Sequence, residues 1–285
     1  MVYLLLVSLI WAFSFGLIKG NLTGLDPDFV AFVRLAISFI VFVPFLRIKD
    51  ISKSFSLKLI ITGSIQYGLM YISYIYSYQY LKAYEIALFT IFTPIYVSLI
   101  NDLLTKKFHK LFFAVALLAF AGTLITLYRE IDRQNFILGF LLVQISNLCF
   151  AFGQIYYKKI LAGKPQIKDL NIYALLFLGG VILTMVFSIF TTKFSTLTIT
   201  NPQLFTLVYL GVIASGLGFF LWNYGARRTN TGSLAIFNNL KIPLAIAVSL
   251  IFFGESADVL RLIIGSIIIL FALFINEKFV SGKTI

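Results

Sequence analysis

Ten apolar stretches of about 20 residues divide this chain, each long enough to carry an α-helix across the roughly 30 Å hydrocarbon core of a bilayer. They cover residues 2–19, 29–46, 57–80, 84–104, 109–128, 136–157, 171–191, 203–226, 231–254 and 259–276. The gaps between them are short and rich in Gly, Pro, Asn, Asp and Lys, which are loop residues. No gap is long enough for a soluble domain. In lipid every backbone N–H and C=O must be paired within the segment, so such runs are read as helices. This predicts an all-α integral membrane protein of ten transmembrane helices. Of the 285 residues, 60% are hydrophobic and 12% charged. A soluble domain carries about 25% charged residues, so lipid is the expected solvent and the bilayer the first partner.

A net charge of +12 in a soluble protein would point to nucleic acid. Here the basic residues fall in the gaps, and they are read as topology signals with no nucleic-acid partner. Cytoplasmic loops retain Lys and Arg. Fifteen lie on one side: Arg47, Lys49, Lys53 and Lys58; Lys106, Lys107 and Lys110; Lys158, Lys159, Lys164 and Lys168; Arg227 and Arg228; Lys278 and Lys283. Six lie on the other: Lys19, Lys82, Arg129, Arg133, Lys193 and Arg261. Both termini are therefore expected in the cytoplasm, in a multi-pass protein of the inner (plasma) membrane. The first run starts at Val2 without a basic segment before it or a small-residue cleavage site after it, so it is read as a retained span.

The two halves resemble each other. WAFSFGLIK at 11–19 aligns with FAFGQIYYK at 150–158, Gly63 and Gly68 with Gly211 and Gly216, and Pro94 with Pro243. Two units follow, 1–131 and 132–285, with five spans each. An odd number of spans per unit makes the second unit enter the membrane from the opposite face. Two inverted five-helix repeats place a substrate site near the midplane between them, which points to transport.

Polar groups within spans face the bundle interior or water. Arg34 lies six residues into the second span. It either snorkels outward to Asp26 and Asp28 or faces a cavity and pairs with a substrate anion. Lys241 is deep in the ninth span, beside Asn238, Asn239 and the expected kink at Pro243. Pro94 is the matching kink in the fourth. Asn238, Asn239 and Lys241 are candidate substrate contacts, with interhelical hydrogen bonding the alternative. The third span offers Gln66 and a face of Tyr67, Tyr71, Tyr74 and Tyr78, which packing alone could also explain. Trp11 and Ser14, Gln144, Asn147 and Gln154, and Trp222 and Asn223 complete the set. The candidate substrate-binding residues are Trp11, Arg34, Gln66, Tyr71, Asn147, Trp222, Asn223, Asn238, Asn239 and Lys241.

No catalytic constellation is evident. The lone Cys149 and the lone His109 make neither a disulfide nor a metal site, and no cofactor is expected. The tail carries Gly282, Lys283 and Thr284, but Glu277 occupies the place of the first glycine of a phosphate loop. Glu85, Asp102 and Glu255 lie at span ends, so no buried proton-relay acid stands out.

Ten spans in two inverted halves, Pro94, Pro243 and Glu255 resemble the EamA-type drug/metabolite transporter superfamily over nearly the whole chain. WAFSF at 11–15, LLVQISN at 141–147, GVIASGLGFFLWNYGA at 211–226 and TGSLAIFNN at 231–239 are similar to its carboxylate/amino-acid/amine branch, and within it to biotin carriers. The resemblance implies a secondary transporter, monomer or homodimer, for a small molecule such as biotin or a similar carboxylate. Export of amino acids on the same fold is the alternative. Biotin's valerate is an anion for Arg34 or Lys241, its ureido group matches Asn and Gln amides, and its rings suit Trp11, Trp222 or Tyr.

Overall fold

A computed structural model describes residues 2–49, 51–106, 135–229 and 231–255, together with 260, 263, 264, 267, 268, 271 and 274; at 105, 231–233, 235, 236, 239–241 and 243 it describes the backbone alone. The expected fifth span lies outside these residues, and the tenth is represented only by scattered positions. All regular structure among the described residues is helical. We label the helices α1 (Val2–Leu22), α2 (Pro27–Phe45), α3 (53–77), α4 (Ala83–Leu104), α5 (Phe136–Ile160), α6 (Asp169–Thr191), α7 (Asn201–Arg227) and α8 (Thr231–Phe252). Six of them, α1, α2 and α4 to α7, are long and apolar enough to cross a membrane.

Several helices start earlier than the apolar runs because polar caps extend them. Asp26 accepts from the Asp28 and Phe29 N–H groups ahead of Pro27. Ser52 accepts from Phe55 N–H. Thr200 and Gln203 form a capping box at α7. A cap satisfies backbone donors that an apolarity window cannot register.

The packing follows a regular scheme. α3 packs on α6, and α7 packs on α2; α3 packs on α5, and α7 on α1; α4 packs on α5, and α8 on α1. Each of these contacts maps onto its partner when every helix is advanced by four. The contacts α2 with α6 and α4 with α8 map onto themselves. Both α3 and α7 carry a π-helical stretch at matching places, Ser64–Leu69 and Leu210–Leu217.

Two glycines set the α3–α6 approach. A Cβ on Gly63 would fall 1.8 Å from the Leu176 carbonyl oxygen, and one on Gly179 would fall 1.9 Å from that of Ile60. Only hydrogen at both positions lets these backbones touch, as small residues do in membrane bundles. The outer faces are apolar and exposed, with Ile40, Leu103, Ile137, Phe190 and Phe205 among them. Polar groups are inside, the reverse of a soluble bundle. That arrangement is stable only where the surrounding solvent is hydrocarbon.

Candidate functional site

A cavity of about 70 Å³ lies among α1, α2, α3, α4, α5 and α7. Trp11, Phe150 and Phe219 form its aromatic wall. These rings meet edge-on, with centroids 5.7 Å apart for Trp11–Phe150 and 5.4 Å for Trp11–Phe219. The Trp11 indole N–H donates to the Ala214 carbonyl at 2.8 Å, inside the π-helical stretch of α7. A π turn leaves carbonyls off the helical ladder, and here one of them orients a wall of the cavity.

Arg34 supplies the cavity's positive charge. Its side chain does not snorkel to Asp26 or Asp28. It turns inward and is only 2% exposed. Nη2 donates to Tyr71 Oη at 2.6 Å and to Ser215 Oγ at 3.2 Å, and Nε donates to Ser215 Oγ at 3.3 Å. Tyr71 and Ser215 hydrogen-bond each other at 2.7 Å, and the guanidinium carbon stands 4.3 Å from the Tyr71 ring centroid. Nη1 is buried without a hydrogen-bond partner. Among the described residues no carboxylate lies within ion-pair distance of Arg34. A buried guanidinium offered only neutral acceptors and a ring face has the chemistry to pair with an anion.

α4 and α5 also contribute the polar lining residues Thr90, Thr93, Ser146 and Asn147. The α4 helix tightens into a 3₁₀ turn at Thr90–Phe92, directly before Pro94, and its second half restarts at Thr93. Proline has no N–H to donate to the carbonyl four residues earlier. Asn147 spans this break: its Nδ2 donates to the Phe89 carbonyl at 2.9 Å, and its Oδ1 accepts from Thr93 Oγ1 at 3.2 Å.

The structure thus brings Trp11, Arg34, Tyr71 and Asn147 to the cavity wall. Gln66, Trp222, Asn223 and Asn238 lie elsewhere, in a layer about one helical turn below it. Gln66 and Asn223 exchange two amide hydrogen bonds, at 3.0 and 3.1 Å. Asn223 also donates to Tyr67 Oη at 2.9 Å, and Tyr67 meets Tyr173, which donates to the Phe219 carbonyl. Gln154 Oε1 accepts from Trp222 Nε1 at 3.1 Å and from Asn238 Nδ2 at 3.4 Å. All these groups are buried, so the layer is a dry polar plug. It lies between the cavity and the helix ends that carry Lys53, Lys158, Arg227 and Arg228. At that end Arg227 pairs with the buried Asp169 at 2.9 Å, and Tyr157 donates to the same carboxylate at 2.7 Å. The side chains of Asn239, Lys241 and Pro243 lie outside the described set.

Ser215, Thr90, Thr93, Ser146 and Phe219 are additions to the site that the sequence did not single out. Hydroxyl residues are common in apolar helices, where they bond back to their own carbonyls. Among the described residues no three His, Cys, Asp or Glu side chains converge as a metal site.

Comparison with known proteins adds a family. The model described as the EamA-like transporter family matches residues 1–128 and 137–277. The biotin transporter of Salmonella typhimurium is 35% identical over 100% of this chain and 95% of its own length. That of Escherichia coli is 34% identical over the same shares, and a probable biotin transporter of Pseudomonas aeruginosa is 34% identical over 96% of each. One crystal structure superposes with a TM-score of 0.70 over 100% of this chain and 98% of the other at 15% identity, a likeness of fold alone.

Proposed function

The chain belongs to the EamA-like transporter family, and from that premise we propose that it takes up biotin, or a small carboxylate of the same shape, across the inner membrane by alternating access. The observation that carries this reading is Arg34, a buried cation in the cavity with one donor nitrogen unbonded. Biotin's valerate would complete it with a charge-assisted pair. The rings would lie against Trp11, Phe150 and Phe219, and the ureido group would meet the Thr90, Thr93 and Asn147 wall. Amino-acid export finds less support: among the described residues that line the cavity there is no carboxylate for an ammonium group.

In this reading two inverted five-helix repeats, 1–131 and 132–285, with both termini in the cytoplasm, would supply the alternating access. The packing scheme in which the largest helix–helix contacts recur four helices on among the described residues supports the duplication. The bias of Lys and Arg supports the orientation. The dry plug on the basic side would then face the cytoplasm and would part when the carrier opens inward. Ligand sites for molecules of this size occupy about 300–1,000 Å³, so the helices must also separate around the 70 Å³ cavity to admit cargo.

The test is growth of a biotin-requiring strain that lacks its own carrier, supplied with trace biotin. Expression of this chain should restore growth, and Arg34→Gln at equal membrane abundance should not. No rescue by the intact protein present in the membrane removes biotin as the cargo.

A further inference from the structure

The polar layer below the cavity holds two amide pairs, and they are not alike. Gln66 on α3 and Asn223 on α7 exchange two bonds. Gln154 on α5 and Asn238 on α8 share one, from Asn238 Nδ2 to Gln154 Oε1 at 3.4 Å. Gln154 Oε1 also accepts from the Trp222 indole at 3.1 Å, and Asn238 Nδ2 also donates to the Leu234 carbonyl at 3.0 Å. One donor, Gln154 Nε2, and one acceptor, Asn238 Oδ1, are left buried without partners. Both residues are 0% exposed. Turning either amide over does not repair this. A flipped Gln154 would set its NH2 against the Trp222 N–H, and a flipped Asn238 would set its oxygen against the Leu234 carbonyl.

A buried donor and a buried acceptor without partners are each costly. On two residues already joined by a hydrogen bond, they complement the edge of a cyclic cis-amide, which carries one C=O and one N–H. The helix α5 leads from the cavity to this pair. Asn147, Phe150 and Gln154 follow at steps of three and four residues and share one helical face, and the first two line the cavity. Gln154 is one turn further on, roughly 6 Å along the axis.

The internal repeat gives position 154 a second environment. In the alignment of 11–19 with 150–158, Gln154 takes the place of Phe15, and Phe15 lines the cavity. Two inverted repeats exchange their arrangements when a carrier turns over. The counterpart of Phe15 then faces the cavity in the inward-open form, with an amide where the outer half has a ring.

We propose that Gln154 and Asn238 form a ureide-reading station on the cytoplasmic side of the cavity, where Gln154 Nε2 donates to the carbonyl of the cargo's ureido ring and Asn238 Oδ1 accepts from its N–H once the plug parts. This rests on the reading of the chain as a biotin carrier. It adds a second place at which the ring is recognised, beyond the Thr90, Thr93 and Asn147 wall.

The experiment uses the full-length protein in liposomes and compares initial uptake of labelled biotin with that of labelled 2-iminobiotin, whose ring carries a guanidinium at neutral pH in place of the ureide. Gln154→Glu keeps an acceptor for Trp222 and replaces the open donor with an oxygen. It is expected to shift the uptake ratio toward 2-iminobiotin by at least about tenfold, because a carboxylate pairs with a guanidinium and repels a carbonyl. Asn238→Asp places an acid at the other open position and should shift the ratio the same way. A purely structural amide would lower uptake of both compounds alike. Ratios within about twofold of the unmodified protein in both variants overturn the station and leave biotin as cargo. Absence of saturable biotin uptake by the intact protein overturns the proposed function, and the station with it. If neither variant elutes as a single species in detergent, Gln154→Met decides. It removes the open donor, and the preference for biotin over lipoate, an acid with the same chain and no ureide, should fall about tenfold. An unchanged preference, or failure of this variant to fold as well, assigns the pair to packing and overturns the station.

Discussion

Buried polar side chains in this bundle differ in how far their neighbours satisfy them, and in the plug Gln154 Nε2 and Asn238 Oδ1 also have no partner. Gln66 and Asn223 satisfy each other, whereas Arg34 keeps a nitrogen without a partner. A self-satisfied amide pair is structural: removing one member strands the other at about 1–3 kcal/mol, while removing both is nearly neutral. Gln66→Leu alone should therefore lower the thermal midpoint in detergent more than Gln66→Leu with Asn223→Leu, with Asn223 still bonded to Tyr67 in the single variant. If the loss in the double variant equals the sum of the losses in Gln66→Leu and Asn223→Leu alone, the pair is not a coupled unit. Sequence alone placed Gln66, Trp222 and Asn223 beside Tyr71 and Arg34 as equal candidates. It registers that a side chain is polar and within a span, but not whether the neighbour it meets is a ligand pocket or another amide.

At the scale of helices, the closest contact is that of α3 with α6 at Gly63 and Gly179, where an added Cβ would meet backbone rather than a flexible side chain. Overpacking against movable side chains costs about 1–3 kcal/mol, and a backbone atom cannot step aside. Gly179→Ala is expected to lose most folded protein, read as a drop in the monodisperse peak on size exclusion. An unchanged peak and unchanged thermal midpoint would show that the two helices can separate freely. The neighbouring Gly163, an exposed loop glycine at φ +73° with open space around it, offers a contrast: its replacement acts through backbone conformation alone. The pairing of Gly63 with Gly211 in the repeat was visible in the chain, and both lie at π-helical stretches. What those glycines touch was not, because close approach is a property of two segments more than a hundred residues apart.

For the molecule as a whole, the proposed orientation rests on where Lys and Arg lie. A fluorescent protein fused to the C-terminus should glow, and a phosphatase active only outside the cytoplasm should be inactive at the same place. The opposite pair of results would break the five-plus-five arrangement. The apolar runs, the membrane setting and the basic bias were legible in the residues, because each depends on composition along the chain and on lengths set by the bilayer. Which polar residues converge was decided only by the tertiary structure. Rotation of each helix about its axis, fixed by glycine contacts, π turns and the break before Pro94, turns Arg34, Tyr71 and Asn147 toward the cavity and Gln66, Trp222 and Asn223 toward one another. A helix presents every side of itself within two turns, so the sequence lists its polar groups and only the packing of its neighbours selects which of them share a site.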